Sequence, residues 1–384
     1  MSFPLRFDIS LKLLPAMAER VPHFAVDRAK RTLTRDVELG RRVFWWTGPG
    51  LGTEHWLRTV ALEITHAMAD GRSGREQPVI PVVIECAPGQ RKEQLLDQIF
   101  GRLVDHWQVF AERRGASSRL MPPQPAIRSP RVAGDDGGDH RKIWLCDGLR
   151  TLEHSDAYAR YALWLLGAEE GFREGLAEVL QWFDGLPIGF QPRALALFGG
   201  PLTDLDLRGR QDSNRDHHWE RRLAPGLEYF DASAWLRKSL PALKTEQTQE
   251  LIDWTGLHPE VVTTVASRLA QGTSVDLRRA LRGSMAALDE LFESVFAYVD
   301  GGRKLPYRGA DLACEHAIFQ LLAEVGPEGL TQPEVERELR MRELRPYLMP
   351  WLATGMIVRD MRQSPTHLRV SSKLFVDWYL DRVL

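Results

Sequence analysis

Residues 43–62 read VFWWTGPGLGTEHWLRTVAL. An apolar run, Val43 to Trp46, enters a glycine-rich turn. Apolar residues at helical spacing leave it: Leu57, Val60, Ala61, Ile64 and Met68. A strand, a glycine loop and a helix in that order are the setting of the phosphate-cradling motif G-x-x-x-x-G-K-[ST]. With Gly52 aligned to the last glycine of that pattern, Thr53 stands at the lysine position, Glu54 at the Ser/Thr position and Thr47 at the first glycine. In a working loop the glycines turn backbone N–H groups toward phosphate oxygens and the lysine reaches the β- and γ-phosphates. The hydroxyl holds Mg²⁺. Thr53 brings no charge, and Glu54 puts a carboxylate where a triphosphate would lie. Gly48, Gly50, Gly52 and Thr53 are therefore read as a vestigial nucleotide cradle. The alternatives are a tight strand-to-helix turn with no ligand, and a site for a smaller anion.

The chain has 384 residues, enough for two or three domains. Its formal net charge of -2 excludes a generally basic surface and leaves room only for a local basic patch. Cys86, Cys146 and Cys314 are few, odd in number and far apart, which suits small buried thiols in a reducing compartment. No stretch is long and apolar enough to span a bilayer, and the amphipathic start MSFPLRFDISLKLLPAM lacks the basic-then-apolar order of a secretion signal. A cytoplasmic location is expected.

Residues 1–40 read as a helical segment. Strands are expected at 43–46, at VIPVVIECA (79–87), at KIWLCDGL (142–149), at RALALFGG (193–200) and at LEYFDASAW (227–235). Helices are expected between them, including 90–110 and 157–183. Residues 111–141, rich in Gly, Pro, Ser and Asp, read as a flexible insertion, and 203–222 as a polar loop carrying His217 and His218. Adjacent histidines without further ligands make no metal site. Strands alternating with helices give an α/β fold, a mostly parallel sheet flanked by helices over 41–235. A wholly helical lid follows at 236–300, and DGGRKLPYRG marks the next boundary. Residues 310–384 carry the order of a winged helix. There a helix precedes a Thr331…Glu334 capping box, and a third helix starts late because of Pro346 and Pro350. A hairpin around QSP and the segment KLFVDWYLDRVL close the chain.

That layout resembles the P-loop ATPases of the STAND and AAA-like group, including archaeal and origin-recognition ATPases. TGPGLGTEHWLR resembles the Walker A turn and WLCDGL resembles Walker B, with Asp147 as its acid. ALALFGG lies where the sensor-1 strand ends, and DWTGLHPEVVTTVASRL (253–269) resembles the lid helix pair. Leu352, Gly355 and Ile357 resemble the entry into the wing. The departures matter as much. On this alignment Gly148 replaces the glutamate that polarises water, and Gly199 and Gly200 stand at the sensor end, with Thr203 beyond. Lysine, hydroxyl, glutamate and sensor are all replaced, which leaves no hydrolase chemistry. The resemblance thus implies an inactive STAND pseudo-ATPase, with no catalytic residue, no cofactor and no metal. It also implies a scaffold or adaptor for protein partners in a bacterial sensing, signalling or defence complex.

Two further readings stand beside it. A DNA-binding regulator would use a recognition helix near 343–354 with Arg340, Arg342, Arg345, Arg359 and Arg362, although Glu334, Glu336, Glu338 and Glu343 interleave with them. A non-hydrolysing nucleotide sensor would use the glycines, with Arg278 and Arg279 in the arginine-sensor part. Trp351 and Trp378 are expected at the surface of the winged helix, as partner contacts. His258 is read as shaping the lid turn, with Pro259 opening the next helix. There is no G-x-S-x-G, no H-E-x-x-H and no CxxC pair. The partner, the trigger and the oligomeric state are not set by the sequence.

Overall fold

The computed structural model describes residues 23–71, 78–87, 89–115, 140–153, 159–167, 175–204, 207–208, 219–224, 226–271, 276–299, 312–344, 348–360 and 364–383. The chain divides into two compact units. One holds residues up to Arg28, Trp46–Trp56 and Leu223–Leu384; the other holds Ala29–Trp45 and Leu57–Arg222.

The second unit is built on a five-stranded sheet. Helix α1 (His23–Leu39) leads into β1 (Arg42–Trp46), and α2 (Thr53–Ala69) follows the glycine turn. Then come β2 (Val79–Glu85), α3 (Lys92–Arg113), α4 (His140–Glu153), β3 (Arg160–Leu166), α5 (Ala177–Asp184), β4 (Leu195–Gly199) and β5 (Glu220–Leu223). The sheet order is β2-β3-β4-β1-β5, so the glycine-loop strand lies between the last two strands of the chain order. β2 pairs with β3, and β3 with β4, in parallel. Residues 43–46, 161–166 and 195–199 are buried on both faces, as central strands of a helix-covered sheet must be.

Two strands differ from the sequence reading. KIWLCDGL is helical: it lies within α4, where Leu145 and Leu149, one turn apart, are buried while Ile143 is 52% exposed. The third strand is RYALWLL, inside the stretch read as a helix. Short apolar runs of similar length cannot be told apart by periodicity alone, and the run whose six consecutive residues are all buried takes the sheet position. Cys146 therefore lies on a helix, half-buried. The fifth strand is ERRL, inside the stretch read as a polar loop, while LEYFDASAW contributes to helix α6 (Tyr229–Ser239), which buries Ala232, Ser233, Trp235 and Leu236. ERRL holds a strand position because buried acids meet its arginines. Arg221 bonds Asp204 at 2.5 Å and Arg222 bonds Asp36 at 2.6 Å.

The first unit continues with α7 (Thr245–Thr255), α8 (Pro259–Gln271), α9 (Leu277–Val299) and α10 (Leu312–Val325), then β6 (Leu330–Thr331), α11 (Gln332–Met341), α12 (Leu348–Thr354), β7 (Ile357–Asp360), β8 (His367–Val370) and α13 (Lys373–Val383). The small sheet runs β6-β8-β7 with antiparallel pairs, which together with α10–α12 makes the winged helix expected from the sequence. The capping box at α11 is formed: the Thr331 N–H donates to Glu334 Oε2 at 2.8 Å, and the Glu334 N–H donates to Thr331 Oγ1 at 3.4 Å. Lid and winged helix share one core. Phe292 and Phe296 of α9 meet Phe375 at 4.9 and 5.4 Å, and Phe319 meets Tyr379 at 4.8 Å and Trp351 at 5.4 Å. Trp351 is 0% exposed and Trp378 is 6% exposed, with its Nε1–H donating to Asp289. Neither tryptophan is the surface contact that the sequence suggested; both fill this core.

Candidate functional site

The glycine turn Thr47–Gly52 leaves β1 and opens helix α2 at Thr53. Gly50 and Gly52 have φ of 70° and 63°, a region that disfavours a side chain. The strand, turn and helix are those the sequence predicts. What lies against the turn is new. A methyl group added at Gly48 would lie 2.6 Å from the carbonyl oxygen of Ala353 and 2.6 Å from Cα of Thr354. One added at Gly50 would lie 2.6 Å from a Glu260 carboxylate oxygen, 2.6 Å from Cε1 of His258 and 2.8 Å from Cδ1 of Leu291. The end of α12 thus closes on Gly48, and the lid closes on Gly50. Only at Gly52 is the space open.

His258 is the central piece of this closure. It sits in the turn between α7 and α8, where Gly256 has φ of 68° and packs so tightly that a side chain would strike the Ser371 carbonyl at 2.5 Å. Pro259 opens α8 as expected. The imidazole is fully buried, and Nε2 stands 3.1 Å from the carbonyl oxygen of Pro49 in the loop. A carbonyl only accepts, so Nε2 carries the proton, and buried Nδ1 has no hydrogen-bond partner. Burial pulls the His258 pKa down to about 4, partly offset by the bond to Pro49. Burial also pushes the neighbouring Glu260 carboxyl up, helped by Glu290. The lowered pKa keeps the His258 imidazole neutral and Glu260 is an acid, so neither supplies the cation a triphosphate needs.

A pH dependence follows. The folded-state pKa of His258 is lowered, so the unfolded chain binds the extra proton. Stability from this group is complete above pH ~6.5 and is lost as pH falls toward ~4, by roughly 3 kcal/mol over the window. Urea unfolding at a series of pH values should show a shallower slope between these limits for His258→Gln than for the parent chain. Equal slopes would mean that the imidazole is not buried in this turn.

Asp147 lies on helix α4, 63% exposed at its side chain and 3.6 Å from Arg150. It is not a Walker B acid, and Gly148 is a buried helix position rather than a missing glutamate. The third strand ends at Leu166–Gly167, where a side chain on Gly167 would meet the Cys86 carbonyl at 2.9 Å. Glu169 and Glu170 follow in sequence, outside the described residues. β4 ends at Gly199 as expected, and Thr203 beyond it is fully buried with an unpartnered hydroxyl. Arg278 and Arg279 are exposed. Helix α9 reaches the loop through Leu291, and at 1.5 Å per residue those arginines stand about 20 Å back along it. Of the basic winged-helix residues, Arg340 is exposed and paired with Glu336 at 3.1 Å, and Arg342 and Arg359 are exposed. Arg345, Arg362, His217 and His218 lie outside the described residues. The expected recognition helix is the α12 segment, and six of its seven residues are buried. The contribution of Ala353–Thr354 to the loop had no signal in the sequence, because it joins positions some three hundred residues apart.

Among the described residues no group of three or more His, Cys, Asp or Glu side chains could hold a metal ion, and no helix is long and apolar enough to cross a membrane. A side chain at position 48 or 50 would strike the chain, the space beside Gly52 is open, and the loop carries no lysine for a magnesium triphosphate.

No family model matches the sequence, and no curated protein sequence matches it. Solved structures do match. A Walker-type ATPase of Pyrococcus abyssi superposes with a TM-score of 0.54 at 11% identity, over 92% of this chain and 94% of that one. The ORC2 protein of Aeropyrum pernix, in ADPNP–ADP complexes, gives 0.41 at 13% identity, over 93% of each chain. A STAND protein with a tetratricopeptide repeat sensor from Pyrococcus horikoshii gives 0.32 at 9% identity, over 93% of this chain and 43% of that one. The first match shows the fold: over 92% of its length this chain has the fold of a Walker-type, P-loop ATPase.

Proposed function

We propose that the chain is a catalytically silent P-loop ATPase fold that serves as a scaffold or adaptor for protein partners. The observation that carries the reading is the inward use of the loop. Gly48 and Gly50, at variable positions of the motif, pack against Ala353, Thr354, His258 and Glu260, while Gly52, its last glycine, faces open space. Glycine is required at these positions without any nucleotide. Thr53 and Glu54 supply neither cation nor a suitably placed hydroxyl, and the third strand ends in Leu166 and Gly167. A DNA-reading role is less well supported, because the α12 segment that would enter a groove is buried in the shared core. The resemblance to STAND proteins supports placing the scaffold in a bacterial sensing, signalling or defence complex.

The test is a titration with ATP, ADP and Mg²⁺, following melting temperature and tryptophan fluorescence together. Trp45, Trp46 and Trp56 flank the loop and are buried. A ligand at ~100 times its Kd would add ~2.7 kcal/mol, so the expected absence of any shift is easily distinguished from binding. A saturable shift would sink the scaffold reading in favour of a nucleotide-gated switch. The double variant Thr53→Lys, Glu54→Thr is expected to release no phosphate, since Ala353 and Thr354 still close Gly48. Should it turn over, and should Glu169→Gln with Glu170→Gln stop it, the missing acid would lie in that pair.

A further inference from the structure

Helix α6 opens on an aromatic pair. Phe230 is 82% exposed, and its ring stands 5.8 Å from that of Tyr229 in an edge-on contact. The Tyr229 hydroxyl donates to the Gln249 side chain on α7, and the Gln249 amide donates to Asp253 at 2.8 Å. Next to Asp253 comes half-buried Trp254, whose carbonyl accepts from Ser372 Oγ at 3.1 Å. A shallow groove lies along this part of α7, and the Lys373 ammonium stands 5.7 Å from the centre of the Trp254 ring. Phe230, Tyr229 and Trp254 thus lie on one strip of surface across α6, α7 and the start of α13. A phenylalanine this exposed gives up a large apolar area to water, and covering it is favourable.

Residues 1–22 lie outside the described residues, and their sequence complements the strip. Phe3, Leu5, Phe7, Ile9, Leu11 and Leu13 are apolar at every second position, the period of an extended segment with one apolar side. Between them Arg6 and Lys12 stand against one acid, Asp8. The groove has the opposite balance, with Glu246, Glu250 and Asp253 against Lys373. The chain also enters the described part at a suitable place. Helix α1 begins at His23, and further along it Arg28 bonds Glu228, the residue before Tyr229, at 2.6 Å. That pair is exposed and contributes little energy, but it sets the start of α1 beside the first turn of α6. The step from His23 to Arg28 is about 7.5 Å along the helix. Residues 14–22 reach up to ~30 Å when extended. Strip, α1 start and segment all belong to one compact unit.

We propose that residues 3–13 cover the Phe230–Trp254 strip of their own molecule. The short tether favours this over capture of another copy, because it holds the segment at millimolar effective concentration. The segment is then a built-in cover that a protein docking on the strip must displace, whatever the glycine loop holds. Trypsin reads the contact, because Lys12 lies inside the segment. The bond after Lys12 in the full chain should be cut about tenfold or more slowly than in a synthetic peptide of residues 1–22, since cleavage tracks the open population. Phe230→Asp should bring the two rates together. So should Ile9→Asp, measured against a peptide with the same change. The double variant should be cut no faster than either single variant, because each removes the same contact. Position 230 is exposed in the first turn of a helix, where an acid is favourable, and melting curves will show that the variants fold. Equal rates in the parent chain and the free peptide would overturn the proposal, as would protection that survives Phe230→Asp. Protection that rises with protein concentration would assign the segment to a second copy, and would overturn it too.

Discussion

Gly48→Ala is expected to lower the stability of the lid and winged-helix unit by about 2 kcal/mol or more, near the middle of the range for forcing a methyl group into a packed interior. The reasoning rests on what surrounds the added atom. Its nearest neighbours are backbone: the Ala353 carbonyl oxygen and Thr354 Cα at 2.6 Å, and the Thr354 nitrogen at 2.9 Å. Backbone at the end of a buried helix cannot rotate aside as a side chain can. The first melting transition should fall by roughly 5 °C for a unit of this size. Gly50→Ala is also expected to destabilise, through φ of 70° and through contacts with His258, Glu260 and Leu291. There the blocking atoms belong to side chains, so truncating Glu260 to Ala in the same chain should recover part of the loss. No truncation of a neighbour should rescue Gly48→Ala. Gly52→Ala, with open space and φ of 63°, serves as the reference and should cost about 1 kcal/mol from backbone strain alone. If Gly48→Ala matched that reference, or stabilised the chain, α12 would not be closing the loop. The inward-facing cradle would then have to be abandoned.

What the sequence disclosed and what it hid divide along a physical line. Local chemistry was legible. The glycine turn, the Thr331–Glu334 capping box, Pro259 at the start of α8 and the two strands around QSP all depend on neighbours within a few residues. The α/β class was legible too, because alternation of strands and helices survives the exchange of one run for another. The identities of the third and fifth strands were not. KIWLCDGL and RYALWLL are both short and apolar, and only the sheet, which buries every residue from Tyr161 to Leu166, decides between them. ERRL carries three charges, and nothing local says that Asp36 and Asp204 wait to receive two of them. That error had a functional cost. Reading the third strand one segment early made an exposed helical residue, Asp147, into a candidate metal-coordinating acid. The tryptophans misled for a related reason. Trp351 and Trp378 give no local sign of what covers them, and Phe292, Phe296 and Phe319 converge on them from elsewhere in the chain. The closing of α12 and His258 over the loop is long-range in the same sense, and it is the feature on which the functional proposal turns.

Arg222→Ala is expected to have the largest effect of any single substitution in the sheet unit, roughly 3–5 kcal/mol of lost stability. Asp36 is 3% exposed, and burial pushes its carboxyl pKa up while Arg222 pulls it back. Arg222 Nη1 donates to Asp36 Oδ2 at 2.6 Å, Nη2 donates to Glu220 at 2.8 Å, and the guanidinium lies over the Trp45 ring at 5.7 Å. The other Asp36 oxygen, Oδ1, has no partner, so the arginine carries nearly all of the compensation. Deleting it leaves a buried charge without a counter-ion, and the carboxylate must take a proton or draw in water. The sign of the pH dependence then separates this account from a simple loss of packing. A carboxyl whose folded pKa is raised contributes fully below its unfolded pKa of 3.8 and loses that contribution as pH rises through the folded value. The deficit of Arg222→Ala relative to the parent should therefore be smallest in acid and grow toward neutrality. Adding Asp36→Leu should restore much of the loss, because removing both partners of a buried pair is far less costly than removing one. Urea unfolding of the two single variants and the double variant at pH 4 and pH 7 gives all four comparisons. A deficit independent of pH, with additive single effects, would mean that packing on Trp45 holds β5 in the sheet and that its charge pairing is incidental.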